Sequence, residues 1–251
     1  FNLGKIIGGF DVHTKTYVVS LQNNNNVDYD TLAFDESVKG WVSRYSYKPD
    51  QIFSLKNNYF TTFSGGAENF NGLYKHYFGS EYGKFYGVNV DSSVTTVFNP
   101  KVSLSKNFLT IGYEGSNGWE MNDFRSDFTG VDNGINFDDV TFPVKSYDEG
   151  EFVINPATGQ PVRPADYQAT FGTPYPPYNK MRAGFNRKEN KYVSNLKNNS
   201  MPRPGEIVYA QSLSGVKGMF ATVVFSIDST TNITGKKELF AVSSTYVESS
   251  Y

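Results

Sequence analysis

The sequence contains no cysteine, which excludes disulfides, thiolate metal sites and a cysteine nucleophile together. Histidine is nearly absent as well: His13 and His76 are the only two. A zinc site needs more ligands of the right kind than two isolated imidazoles supply. No Gly-x-Ser-x-Gly elbow frames a serine for a hydrolytic triad, so both histidines are expected to be exposed or sheet-facing. No apolar run approaches the ~18 residues of a membrane span. A net charge of −2 with scattered Lys and Arg argues against sequence-specific nucleic-acid binding, which would show a basic face. No phosphate-binding glycine loop is present, and no cofactor is expected.

What the chain does hold is aromatic side chains, 16% of its 251 residues. Aromatic and β-branched residues suit the pleated, half-buried surface of a sheet. The 23 Gly and 11 Pro interrupt the chain often enough to keep each segment short. Strands are expected at Tyr29 to Phe34, Trp41 to Tyr47, Gln51 to Leu55 and Tyr59 to Phe63. Turn formers separate them at Lys48-Pro49-Asp50, Lys56-Asn57-Asn58 and Gly65-Gly66.

One pattern recurs. Phe10-Asp11, Lys15 and Tyr17-Val18 return as Phe34-Asp35, Lys39 and Trp41-Val42, with a looser copy at Gly184-Phe185-Asn186, Asn190 and Tyr192-Val193. The physical reading is a hairpin. An aromatic closes one strand, Asp or Asn folds back onto the turn backbone, and an aromatic opens the next strand. Residues 1–98 are therefore expected to form a propeller-like antiparallel meander.

Residues 99–251 are expected to form a β-sandwich. Val102 to Glu114 reads as one long strand, or two with a bend, ending in Gly115-Ser116-Asn117-Gly118. Asn122 to Asp139 reads as loop. Met219 to Ile227 and Glu238 to Val247 read as a terminal hairpin of the sandwich. Ahead of that hairpin, a proline-rich stretch at about 156–177 reads as an extended arm, because proline cannot donate to a ladder. Its Tyr167, Phe171, Tyr175 and Tyr178 are candidate interface residues, too apolar to leave in water.

Carboxylates offer the one enzymatic case. A glycosidase needs two, several ångströms apart, and Asp35-Glu36, Asp138-Asp139 and Asp148-Glu149 with Glu151 supply pairs. All lie in turn-like sequence, where solvated acids are the ordinary occupants, so no enzyme is expected. The run Asp127, Asp132, Asn133, Asp138, Asp139 is oxygen-rich but lacks EF-hand order. Asn198-Asn199-Ser200 and Asn232-Ile233-Thr234 match a glycosylation sequon, which means little without a secretory context.

Several stretches together resemble a known family. They are Leu32-Ala33-Phe34-Asp35-Glu36; Gly40-Trp41-Val42-Ser43-Arg44-Tyr45-Ser46-Tyr47-Lys48-Pro49-Asp50; Leu73-Tyr74-Lys75-His76; and Lys106-Asn107-Phe108 with Tyr113-Glu114-Gly115-Ser116-Asn117-Gly118-Trp119. Ser214-Gly215-Val216-Lys217-Gly218 and the ending Lys237-Glu238-Leu239-Phe240-Ala241-Val242-Ser243-Ser244 continue the likeness. In order and coverage they resemble virion structural proteins of tailed bacteriophages, the tail-end muzzle-type proteins of crAss-like phages and related proteins of marine phages. The resemblance implies a virion subunit of the tail region that assembles with copies of itself and other virion proteins. It carries no catalytic residues. Such proteins are commonly longer, and the chain begins at Phe1 rather than Met, so a C-terminal portion is expected. The alternative reading is a tail protein that binds or cleaves a host surface glycan.

Overall fold

The computed structural model describes residues 4–23, 28–65, 72–127, 130–132, 135–137, 143–155, 157–162, 181–182, 184–198, 215–228 and 231–248. All regular structure among them is β, in antiparallel ladders, with no helix. The chain divides into two compact units, Phe1–Val90 and Asp91–Tyr251.

The first unit begins with β1 (Lys5–Asp11), β2 (Thr16–Gln22), β3 (Tyr29–Asp35) and β4 (Gly40–Tyr45), which pair in chain order as one four-stranded sheet. A second sheet follows with β5 (Gln51–Leu55), β6 (Asn58–Phe63) and β7 (Gly72–Lys75), and then the short pair β8 (Lys84–Phe85) and β9 (Val88–Asn89). The two tandem repeats are hairpins. Asp11 accepts a hydrogen bond from the backbone N–H of His13 at 2.9 Å, and Asp35 from that of Ser37 at 2.7 Å. In both turns the following lysine takes the left-handed backbone, φ 58° at Lys15 and 54° at Lys39. The turn at Lys56-Asn57 has positive φ at both residues, the type I′ geometry that matches strand twist.

The inner face of the first sheet is small: Val18, Ser20, Thr31 and Ala33 are buried. Small side chains suit the close approach of the second sheet, where a Cβ on Gly9 would come within 2.4 Å of Ile52. Polar side chains on this face are hydrogen-bonded: Thr31 Oγ1 donates to the Tyr47 carbonyl at 2.6 Å and Gln22 Nε2 to that of Pro49 at 2.6 Å. Ile7, Val18, Ala33, Ile52 and Tyr59 form the core of this unit, with Tyr45 against it.

The second unit runs through β10 (Ser93–Phe98), β11 (Lys106–Gly115), β12 (Trp119–Ser126), β13 (Gly130–Asp132), β14 (Ile135–Phe137), β15 (Glu151–Ile154), β16 (Pro161–Val162), β17 (Met181–Arg182), β18 (Asn186–Lys188), β19 (Lys191–Asn195), β20 (Val216–Gly218), β21 (Ala221–Ile227) and β22 (Leu239–Glu248). One sheet has the order β10-β21-β12. In another, β11 is central, with β19 and β20 along one edge and β22 along the other. Phe108, Ile111 and Tyr113 of β11 share a buried cluster with Met121 and Phe124 of β12 and Val223 and Phe225 of β21.

Two sequence expectations are corrected here. The last two strands do not form a hairpin: β21 lies between β10 and β12, whereas β22 pairs with β11. Adjacency in sequence misled, since the 228–238 connection carries the chain to a different sheet. Residues 122–126 are strand, not loop. Met121 and Phe124 are both buried although three residues apart, because a bulge between Met121 and Asp123 resets the alternation. The same device explains the bend expected within 102–114. A register shift between Phe108 and Thr110 turns both Phe108 and Ile111 inward.

The loose third repeat is also a hairpin, but its turn falls at Glu189 (φ 58°) and Phe185 sits in the core rather than opposite Tyr192. Only the start of the proline-rich stretch is described. Asn155 caps a turn, accepting from Ala157 N at 2.8 Å, and Pro161 with Val162 returns as an edge strand on β15. Tyr167, Phe171, Tyr175 and Tyr178 lie outside the described residues, as do Asp138 and Asp139.

Candidate functional site

Two aromatic features of the first unit stand out. The first is a row across the outer face of the four-stranded sheet. Phe10 pairs with Tyr17, Tyr17 with Phe34, and Phe34 with Trp41. Directly paired residues share a face, so the repeated Phe-Asp…Lys…aromatic motif builds a four-strand aromatic ladder. Its end is an edge-to-face pair, Phe34 against Trp41, with ring centres 5.4 Å apart. Val19 pairs with Leu32 on the same face, and Ile6 with Leu21. Gly8 leaves room for the ring of Tyr17, whose hydroxyl would meet a Cβ there at 2.5 Å. Trp41 is 59% exposed and Ile6 74%, so a sheet face that is apolar in three rows stands open.

The second feature is a cavity of about 350 Å³ where residues 74–86 fold back over Tyr45 and Tyr47. Tyr47 and Tyr59 are buried, with their hydroxyls 3.0 Å apart. The ring of His76 packs between them, 5.1 Å from Tyr47 and 4.9 Å from Tyr59. Burial holds the His76 imidazole neutral, its pKa lowered to about 4. Tyr86 donates to Thr61 Oγ1 at 2.9 Å, and that oxygen shares a hydrogen bond of 2.7 Å with His76 Nε2.

Tyr77 closes one side. Its hydroxyl donates to Oδ2 of the buried Asp11 at 2.5 Å, and its ring lies 4.6 Å from that of His13. Burial, and then the hydrogen bond to Asp11, raises the Tyr77 pKa. Burial also raises the pKa values of Tyr47, Tyr59 and Tyr86, so the phenols are neutral donors and acceptors.

The structure thus brings His76 into a cavity and leaves His13 exposed on its turn. Tyr47, Thr61, Tyr77 and Tyr86 were not singled out from sequence. The available signal was six aromatics between Tyr74 and Tyr86. The carboxylate pairs are not brought together as glycosidase pairs. Asp35 is tied to the hydroxyl and N–H of Ser37, which lower its pKa. Asp148 accepts from Asn117, whereas Glu149 faces Lys145 at 3.5 Å. Lys145 also reaches Glu120 at 3.0 Å. Lys145 thus bridges the two carboxylates, and burial raises the Glu149 pKa. No group of three or more His, Asp or Glu among the described residues is placed to hold a metal ion, and no helix among them is long and apolar enough to cross a membrane.

Residues 80–199 match the family model of the Crassvirus muzzle protein C-terminal domain. The resemblance to muzzle-type virion proteins is thereby shown. The match spans a little under half of the chain and takes in β8 to β19 together with the cavity residues 81–86. No curated protein matches the chain. Similarity to a phage muzzle domain indicates a structural role in the virion.

Proposed function

We propose that this chain is a non-enzymatic structural subunit of a tailed-phage virion, in the tail or at its end, acting by rigid assembly with copies of itself and other virion proteins. The observation that carries this reading is the muzzle-domain match over residues 80–199. The open apolar face of β1–β4 supports the assembly mode, because a sheet face with Phe10, Tyr17 and Trp41 about half exposed is of the kind that marks protein contacts. Rigidity follows from the architecture we propose. A propeller-like meander over residues 1–98 fits the sequential sheets β1–β4 and β5–β7, and a β-sandwich over residues 99–251 fits the core that β11, β12 and β21 share. The stretch at 156–177, with Tyr167, Phe171, Tyr175 and Tyr178, is proposed as an arm on a neighbouring subunit. No sequence-specific nucleic acid, membrane span or cofactor enters this role.

Antibody labelling of purified virions tests the position. An antibody raised against residues 91–251 should decorate the tail end in negative-stain images. Decoration of the capsid alone, or no decoration of intact or gently opened particles, would remove the proposal.

A further inference from the structure

Phe78 stands further into water than any other large apolar side chain among the described residues, at 77% exposure. The backbone puts it there. It lies between Tyr77, with φ 56°, and Gly79, with φ 93°. Left-handed backbone is uncommon at a bulky non-glycine residue and gathers at binding sites. Beside Phe78 opens the cavity of about 350 Å³, whose rim it shares with Tyr77 and Tyr82, each about half exposed. A knob and a socket therefore sit side by side in one patch.

The walls define what the socket takes. Hydrogen-bonding groups of the wall are engaged with the protein: Tyr47 with Tyr59, Tyr77 with Asp11, and both Tyr86 and His76 with Thr61. Lys84 pairs with Glu81 at 2.9 Å, and Lys75 lies 5.1 Å over the ring of Phe78. A polar guest would find few partners there, and a charged one would lose its water without compensation. Eight of the fourteen lining residues are Tyr or Phe, whose faces and edges favour another aromatic ring. The volume is ample for one, since an apolar cavity of roughly 150 Å³ admits benzene.

We propose that two copies of this chain meet about a two-fold axis at this patch, each seating its Phe78 in the socket of the other, with the contact continuing over the His13 turn onto the aromatic ladder. A patch that carries both knob and socket is complementary to itself, which is what a two-fold contact requires. A small apolar molecule would fill the cavity and still leave Phe78 in water. A second copy covers both. The ring of Tyr77 lies 4.6 Å from that of His13, on the turn that joins Phe10 to Tyr17 of the ladder, so the patch borders the open sheet face at that turn. Self-assembly, as proposed above, is the reading on which this contact rests.

The test puts 4-fluorophenylalanine in place of Phe78 in the full chain. Its fluorine resonance is followed by NMR as the protein is concentrated, with sedimentation velocity on the same samples. The resonance should move as the associated fraction grows, because the ring passes from water into a shell of aromatic rings. Phe78 is exposed, so Phe78→Ala should leave the thermal midpoint of the monomer unchanged while self-association weakens about thirtyfold. Association with an unmoved resonance, or at full strength in Phe78→Ala, overturns the Phe78 contact and leaves assembly through another surface standing. A chain that stays monomeric at every concentration overturns the contact and the self-assembly on which it rests.

Discussion

The hydroxyl of Tyr77 donates to Oδ2 of Asp11 at 2.5 Å across 66 positions of sequence, while Oδ1 of the same carboxylate accepts the backbone N–H of His13. Asp11 is buried, and these two bonds tie the first hairpin to the wall of the aromatic cavity. Its counterpart in the second hairpin, Asp35, serves only its own turn and is half-buried. One motif thus carries two different loads.

The difference predicts unequal losses. Tyr77→Phe removes a hydrogen bond to a charged acceptor and should lower stability by about 1.5–3 kcal/mol. Asp11→Ala should cost at least as much, since it also releases the His13 N–H. Asp35→Ala should change the urea midpoint little. Equal losses for Asp11→Ala and Asp35→Ala would refute the load assigned to Asp11.

His76 gives a pH dependence of definite sign. Its folded pKa of about 4 lies below the ordinary histidine value near 6.5, so below that value the unfolded chain binds a proton that the folded chain resists. The stabilisation is complete above pH 6.5 and is lost as pH falls toward 4. The slope is about 1.4 kcal/mol per pH unit, which gives a total loss on the order of 3 kcal/mol. Urea titrations between pH 7 and 4 should show this decline, and His76→Gln should flatten it. An unchanged slope in the variant would mean that another group titrates.

The β class and the tandem hairpins were legible because short-range chemistry decides them. The Asp side chain, the lysine in left-handed backbone and the flanking aromatics lie within eight residues of one another, and they specify the turn without help from the rest of the fold. The sheet partners of β21 and β22 were not legible, since nothing in 228–238 says to which sheet the chain will return. Nor was β12. Its buried Met121 and Phe124 break the two-residue alternation, and only the bulge against β21 makes sense of them. The cavity escaped notice for a related reason. Tyr47, Thr61, His76 and Tyr86 are ordinary residues singly, and the hydrogen bonds among them exist only once the second sheet is folded.

Close packing of the two sheets in the first unit can be measured through Gly9. A Cβ there would come within 2.4 Å of Ile52 Cγ2 and 2.8 Å of its Cβ. Gly9→Ala should therefore overpack the contact and lower stability by about 1–3 kcal/mol. Gly72 is the control, with open space where its Cβ would go and no left-handed φ. Gly72→Ala should be neutral or slightly stabilising. Ile52→Leu removes Cγ2 and should recover part of the Gly9→Ala loss. Equal melting temperatures for the two alanine variants would show that the sheets lie further apart.

The aromatic ladder separates an assembly surface from a core. Phe10, Tyr17 and Trp41 are exposed by half or nearly so, and their removal opens no cavity in the isolated subunit. Trp41→Ser and Tyr17→Ser should thus leave the thermal midpoint of the monomer nearly unchanged. At an interface the same residues behave otherwise, because a buried aromatic at a hot spot contributes ~2 kcal/mol or more. That corresponds to about a thirtyfold weakening of association. Sedimentation velocity over a range of concentrations should show the wild-type chain self-associating and the double variant remaining monomeric, with more protein in the soluble fraction. If instead the variants melt far lower as monomers, the ladder belongs to the packing of its own chain, and assembly must run through another surface. Among the described residues the next candidate is the outer edge of β22. It pairs only with β11 on its inner side, and from Phe240 to Val247 it carries neither charge nor proline to discourage another strand.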